Sequence, residues 1–117
     1  QGQRQIVILA RCIVQDSPVM LMDEPDSALD FLNRHMVLSK IRELIKEENK
    51  AGLITLHDPN FAMAYCDRLL LLKDGRLVGE LDMRRAKADE VKKKLSLIYG
   101  DIELLQSGDS FLMGKAL

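Results

Sequence analysis

The order of hydrophobic and polar positions divides the chain into short apolar runs and longer amphipathic stretches. Val19 to Met22 is an unbroken apolar run, the pattern of a strand buried on both faces. Leu53-Ile-Thr-Leu56 is a second short apolar strand. Between them, residues 31–48 read as a helix. Val37, Ile41, Leu44 and Ile45 form its apolar stripe, and Arg42, Lys46, Glu47 and Glu48 its solvated face. Asp30 is a good N-cap for this helix. Asn49-Lys50-Ala51-Gly52 ends it, with Gly52 as the glycine expected just past a helix. An earlier helix is predicted over residues 4–15, from Ile6, Leu9, Ala10, Ile13 and Val14, and Asp16-Ser17-Pro18 breaks it. Strand, helix and strand from Val19 to Leu56 are long enough for a right-handed parallel crossover.

Downstream the period changes. Asp58-Pro59 is a helix start, a capping residue followed by Pro at the first helical position, and this helix runs to about Cys66. Arg68–Lys73 and Arg76–Leu81 flank Asp74-Gly75, the dipeptide of a two-residue hairpin turn. Residues 88–99 form a charged amphipathic helix with Val91, Leu95 and Ile98 inward, closed by Gly100. Residues 102–106 and 111–113 flank Ser107-Gly-Asp-Ser110, which suggests a terminal hairpin. The fold class is α/β, with parallel strands joined by a crossover helix and a β-hairpin behind them.

Composition narrows the functions. The chain has 117 residues, 47% hydrophobic and 30% charged, with a net charge of -1. That is ordinary for a globular protein and gives no bulk attraction to nucleic acid. Three Phe, two Tyr and no Trp supply little for base stacking, and Lys92-Lys93-Lys94 reads as the solvated side of its helix. Cys12 and Cys66 lie far apart and make no metal-ligand pair; they fit small core positions in a reducing compartment. No apolar run approaches the ~20 residues of a membrane span. The chain begins Gln-Gly-Gln without Met, as expected for a piece of a longer protein.

The chemistry concentrates at two strand ends. Asp23 and Glu24 follow the first apolar run, and Pro25 stops it because it has no N–H for a ladder. Ligands of open α/β sheets sit at the carboxyl ends of the strands, and adjacent acids there suit a metal and a water. An acidic turn after a core strand would explain these two residues alone. His57, however, ends the second strand, so the crossover brings it to the same sheet edge as both acids.

These motifs together resemble part of an ABC transporter ATP-binding subunit. Met22-Asp23-Glu24-Pro25, then Ser27-Ala28-Leu29-Asp30, then Leu56-His57-Asp58 occur in the family's order, with Gly2-Gln3-Arg4-Gln5 similar to the end of its Leu-Ser-Gly-Gly-Gln signature. Gln3 lies 20 residues before Asp23, and Asp23 lies 34 before His57, as the family requires. The resemblance covers residues 1 to about 80, and is nearest to iron-chelate and cobalamin importers through the tail from Asp82 to Leu105. It implies a partial P-loop NTPase core, with residues 1–81 the C-terminal half of the ATPase core and 82–117 the helix and tail of the same domain. It also implies roles. Asp23 is the Walker B aspartate that holds Mg²⁺, usually through water. Glu24 is the general base, and His57 the switch histidine that contacts the γ-phosphate of ATP. Ser27 to Asp30 form the D-loop against a second ATP-binding subunit, and Gly2 and Gln3 close over that partner's ATP. The implied partners are this second subunit and a transmembrane permease. The implied location is cytoplasmic, on the inner face of the cell membrane, with membrane contact only through the permease.

The sequence also departs from the family. Gln1 stands where the signature has its first Gly, Asp26 where Thr is frequent, and Pro59 where Leu is frequent. Gly-x-x-x-x-Gly-Lys-[Ser/Thr], the phosphate-binding Walker A loop, occurs nowhere in the sequence. The chain alone is therefore expected neither to bind ATP well nor to hydrolyse it. The phosphate-loop strand would lie beside the His57 strand, so uncovered apolar surface and association are expected. Alternative readings are a soluble ABC ATPase outside transport, of the DNA repair or translation type, and a non-catalytic interaction module. Long insertions or tandem halves would favour the first; loss of Glu24 or His57 would favour the second.

Overall fold

The computed structural model describes residues 18–116. The predicted helix over 4–15 and the signature positions Gly2 and Gln3 lie outside these residues. Two compact units meet in sequence between His57 and Asp58.

The first unit is a parallel strand pair with a crossover helix. Strand β1 (Val19–Asp23) pairs in parallel with β2 (Ala51–Thr55), Leu21 opposite Leu53 and Asp23 opposite Thr55. Helix α1 (Phe31–Glu47) connects them. It starts where the sequence places it, since the Asp30 carboxylate accepts the Asn33 N–H at 2.9 Å and satisfies one of the unpaired donors of the first turn. Among the described residues, Met20, Val37, Leu38 and Ile41 are buried apolar side chains of this unit.

Three expectations are corrected here. First, β1 is buried on one face only. Met20 is 1% exposed, but Leu21 is 71% and its cross-strand neighbour Leu53 54%. Successive side chains of a strand point to opposite faces, and only one face of this pair is covered. An apolar run reports the character of both faces, not what covers them. Second, the helix ends on Asn49, not Gly52. Asn49 takes the left-handed conformation (φ 51°), its N–H donates to the Lys46 carbonyl, and the Lys50 N–H donates to the Ile45 carbonyl at 2.9 Å. This is a Schellman closure with Asn in place of Gly. Third, β2 begins earlier than predicted, so Gly52 is a strand residue. A Cβ added there would meet Ile45 Cδ1, the tip of a flexible side chain at the end of α1. Because that tip can turn aside, Gly52→Ala is expected to shift stability by no more than about 1 kcal/mol, read as a nearly unchanged midpoint in urea denaturation.

The second unit begins with helix α2 (Pro59–Tyr65), capped by the Asp58 carboxylate on the Asn60 N–H at 2.8 Å. Strands β3 (Arg68–Lys73) and β4 (Arg76–Asp82) form the predicted hairpin. Its turn residues Asp74 (φ 51°) and Gly75 (φ 74°) both take the positive φ that a type I′ turn needs. Leu71 pairs with Gly79 and Leu72 with Leu77, leaving Val78 as the extra residue of a bulge. Helix α3 (Ala88–Tyr99) ends at Gly100, whose φ of 73° suits only glycine well. Strands β5 (Ile102–Ser107) and β6 (Ser110–Lys115) close the chain as an antiparallel hairpin. The Asn60 side chain caps the backbone of β6 by donating to the Met113 carbonyl at 3.0 Å and accepting its N–H at 2.6 Å.

One core holds this unit together. Met63 from α2, Leu69 and Leu71 from β3, Leu81 from β4, Val91 and Leu95 from α3, and Ile102 from β5 are buried against one another. Cys66 packs at its edge, as expected of a small core residue. No described helix is long and apolar enough to cross a membrane.

Candidate functional site

The turn from Glu24 to Asp30 carries the site, and its backbone is held in an unusual shape. Glu24 (φ 46°) and Ala28 (φ 64°) both adopt left-handed conformations without being glycine. Such residues persist where their surroundings over-determine them. The Glu24 N–H donates to Thr55 Oγ1 at 2.9 Å and to the Thr55 carbonyl at 3.2 Å. Within the turn, Ser27 N–H donates to the Glu24 carbonyl at 3.0 Å and Leu29 N–H to the Asp26 carbonyl at 3.3 Å. Pro25 and Asp26 are buried, while Ser27, Ala28 and Asp30 face solvent.

Glu24 and His57 come together. The carboxylate Oε1 of Glu24 meets Nε2 of His57. The imidazole is 86% exposed and the Glu24 side chain 36%, so the pair is open on the His57 side. Asp23 lies on the same strand end. Its Oδ1 accepts the Thr55 hydroxyl at 2.5 Å. Thus both acids stand at the end of β1 and the histidine two residues beyond β2, as the parallel crossover requires. Glu24, Asp26, Ser27, Leu29, Arg34 and His57 line a cavity of about 150 Å³.

Asp26 has a role that no sequence pattern announced. Its carboxylate is buried (6% exposed) and accepts from Nε of Arg34 at 3.0 Å. Arg34 sits on the first turns of α1, so the pair ties the tip of the turn to the helix that follows. A charged group can stay buried only when paired. Arg34→Ala would leave that carboxylate without its guanidinium. We expect a loss of about 1–3 kcal/mol, measured by chemical denaturation, with Arg34→Lys recovering part of it.

The acids do not form a closed metal cage. Among the described residues, no group of three or more His, Cys, Asp or Glu side chains could hold a metal ion. Asp23 offers one solvent-facing carboxylate, one oxygen of which is taken by Thr55. That donor set fits Mg²⁺, which keeps several waters and uses one or two carboxylates with substrate phosphates.

Comparisons with known proteins support the motif reading. No family model matches the chain. It is 38% identical over 104 residues to the hemin import ATP-binding protein of Vibrio parahaemolyticus, a match covering 85% of this chain and 39% of that protein. It is 41% identical over 76 residues to the cobalamin import ATP-binding protein of Halobacterium salinarum, covering 65% of this chain and 19% of that one. Among solved structures, a metal-chelate type ABC transporter in an inward-facing conformation superposes with a TM-score of 0.75 at 29% identity, over 97% of this chain and 45% of that chain. The chain thus spans less than half the length of these relatives. Its mixed parallel and antiparallel architecture is that of a partial P-loop NTPase of the ABC type. The motif order, the strand-end placement of Asp23, Glu24 and His57, and these identities lead to one assignment: the chain belongs to the ATP-binding subunits of ABC transporters and spans part of such a subunit.

Proposed function

We propose that the chain supplies the water-activating edge of an ATPase that powers an importer. The observation that carries this reading is the contact between Glu24 and His57 at the carboxyl ends of adjacent parallel strands. Hydrolysis of a phosphoanhydride asks the protein mainly for positioning and charge stabilisation. A carboxylate has two oxygens. One engages His57, and the other holds the attacking water and takes its proton. His57, largely exposed, can exchange Glu24 for a phosphate oxygen and so couple the base to the nucleotide. Asp23, fixed by Thr55, would hold a Mg²⁺ ion, usually through water, and the ion would supply neutralisation of phosphate charge. Ser27 and Asp30, both exposed on the turn, would meet a second ATP-binding subunit, with Gly2 and Gln3 closing over the nucleotide of that partner.

The same reading names partners and cargo. Relatives called hemin import and cobalamin import proteins, and a metal-chelate type structural neighbour, favour uptake of an iron chelate, haem or cobalamin through a membrane permease. The subunit would then sit in the cytoplasm against the inner membrane face, touching the membrane only through the permease.

The 117-residue chain holds no phosphate-binding loop sequence, so by itself it is expected to release no phosphate from ATP above the rate in buffer. Sustained turnover by the purified chain, abolished by Glu24→Gln, would show that the chemistry does not need that loop and would overturn this part of the proposal.

A further inference from the structure

Thr55 makes a pair of hydrogen bonds that neither the motifs nor the family resemblance assigns. Its single hydroxyl donates to Asp23 Oδ1 at 2.5 Å and accepts the Glu24 N–H at 2.9 Å. The same N–H also reaches the Thr55 carbonyl at 3.2 Å. One residue of β2 therefore grips Asp23 of β1 and the Glu24 backbone just past it, from the register position directly opposite Asp23. We infer that Thr55 is a positioning residue for the reaction proposed above. Its hydroxyl sets the orientation of the Asp23 carboxylate and holds the Glu24 backbone in its left-handed turn, and so aims the Glu24 side chain at His57.

Glu24 has φ 46°, a conformation that an L-residue with a long side chain adopts only against steric resistance. Something must hold it, and the two bonds to Thr55 are the contacts on its own N–H. The direction of the hydroxyl is also fixed. Asp23, as a carboxylate, can only accept, so the Thr55 proton points to it, and the lone pairs of Oγ1 face the Glu24 N–H. A hydrogen bond to a charged acceptor is short and about twice as strong as a neutral one. Finally, the β-branched carbon of Thr55 itself stiffens the grip: Thr has few χ1 wells in a strand, so its hydroxyl does not wander.

The inference rests on the ATPase reading for its kinetic consequence but not for its structural one, and the two can be tested apart. In the full chain, amide hydrogen exchange at Glu24 is followed by NMR for Thr55→Val, which keeps the shape and removes the hydroxyl, and for Thr55→Ser, which keeps the hydroxyl. Exchange at Glu24 should quicken roughly tenfold in the valine variant, the worth of one lost hydrogen bond, and return to within about threefold in the serine variant. Amides in the hairpin β3–β4 report whether either variant has simply lost its fold. In the ATP-hydrolysing subunit that contains the chain, Thr55→Val should lower kcat roughly tenfold or more with KM for ATP unchanged, and Thr55→Ser should restore it. Unchanged Glu24 exchange in Thr55→Val would overturn the positioning role whatever the activity. Normal kcat in Thr55→Val, in a subunit whose wild type hydrolyses ATP, would overturn it too. A wild-type subunit without ATPase activity would sink the functional reading, and the exchange result alone would then decide the role of Thr55.

Discussion

Replacing Glu24 by Gln in a subunit complete with its phosphate loop should reduce ATP hydrolysis by roughly a hundredfold or more, while ATP binding stays near wild type. General-base help contributes about 10²–10⁴ in rate, and a hundredfold is about 2.7 kcal/mol of barrier. The substitution is nearly isosteric and keeps an oxygen that can accept from His57. Its effect therefore isolates the loss of a basic carboxylate from any loss of packing. Equilibrium binding of a labelled nucleotide, measured beside single-turnover hydrolysis, separates the two. A variant that hydrolyses at the normal rate would remove Glu24 from the chemistry.

The second large effect concerns stability. Leu81 is 0% exposed at the centre of the core of the second unit, opposite Leu69 across the hairpin and beside Leu71, Val91, Leu95 and Ile102. Truncating a buried Leu to Ala loses transfer free energy and leaves a cavity, together costing 2–5 kcal/mol, so about 3 is expected. Domains have only about 5–15 kcal/mol in total, and small ones lie at the low end. Leu81→Ala should therefore lower Tm by more than 10 °C, at about 4–8 °C per kcal/mol for a domain of this size. The exposed Leu77 on the same strand, 58% accessible, is the control: its alanine variant should shift Tm by no more than a few degrees. Equal effects at the two positions would contradict the described packing.

Several features were legible because local chemistry alone decides them. Asp30 and Asp58 cap helices wherever an acid precedes a helical stretch. Asp74-Gly75 fixes a hairpin because a type I′ turn demands two positive φ values. The meeting of Glu24 with His57 followed from parallel pairing, which brings two strand ends to one edge. What stayed hidden depends on contacts between segments. The exposure of Leu21 and Leu53 depends on what covers their face, which no periodicity encodes. Gly52 reads as a helix terminator in the sequence, since glycine past a helix is the commoner use, whereas its closeness to Ile45 appears only once the chain is folded. The Asp26–Arg34 pair and the double grip of Thr55 join residues at spacings of 8 and 31–32, and no helical or strand period marks such pairs. The signature positions Gly2 and Gln3 lie outside the described residues, so their roles rest on the resemblance.

We propose that this chain carries the half of an ATPase site that activates water. The most direct measurement is phosphate release by a hybrid in which the chain replaces the matching stretch of the Vibrio parahaemolyticus hemin import protein. Mg²⁺-dependent turnover by the hybrid is expected, lost on Glu24→Gln. A folded hybrid that binds ATP yet releases phosphate no faster than its Glu24→Gln variant would contradict it.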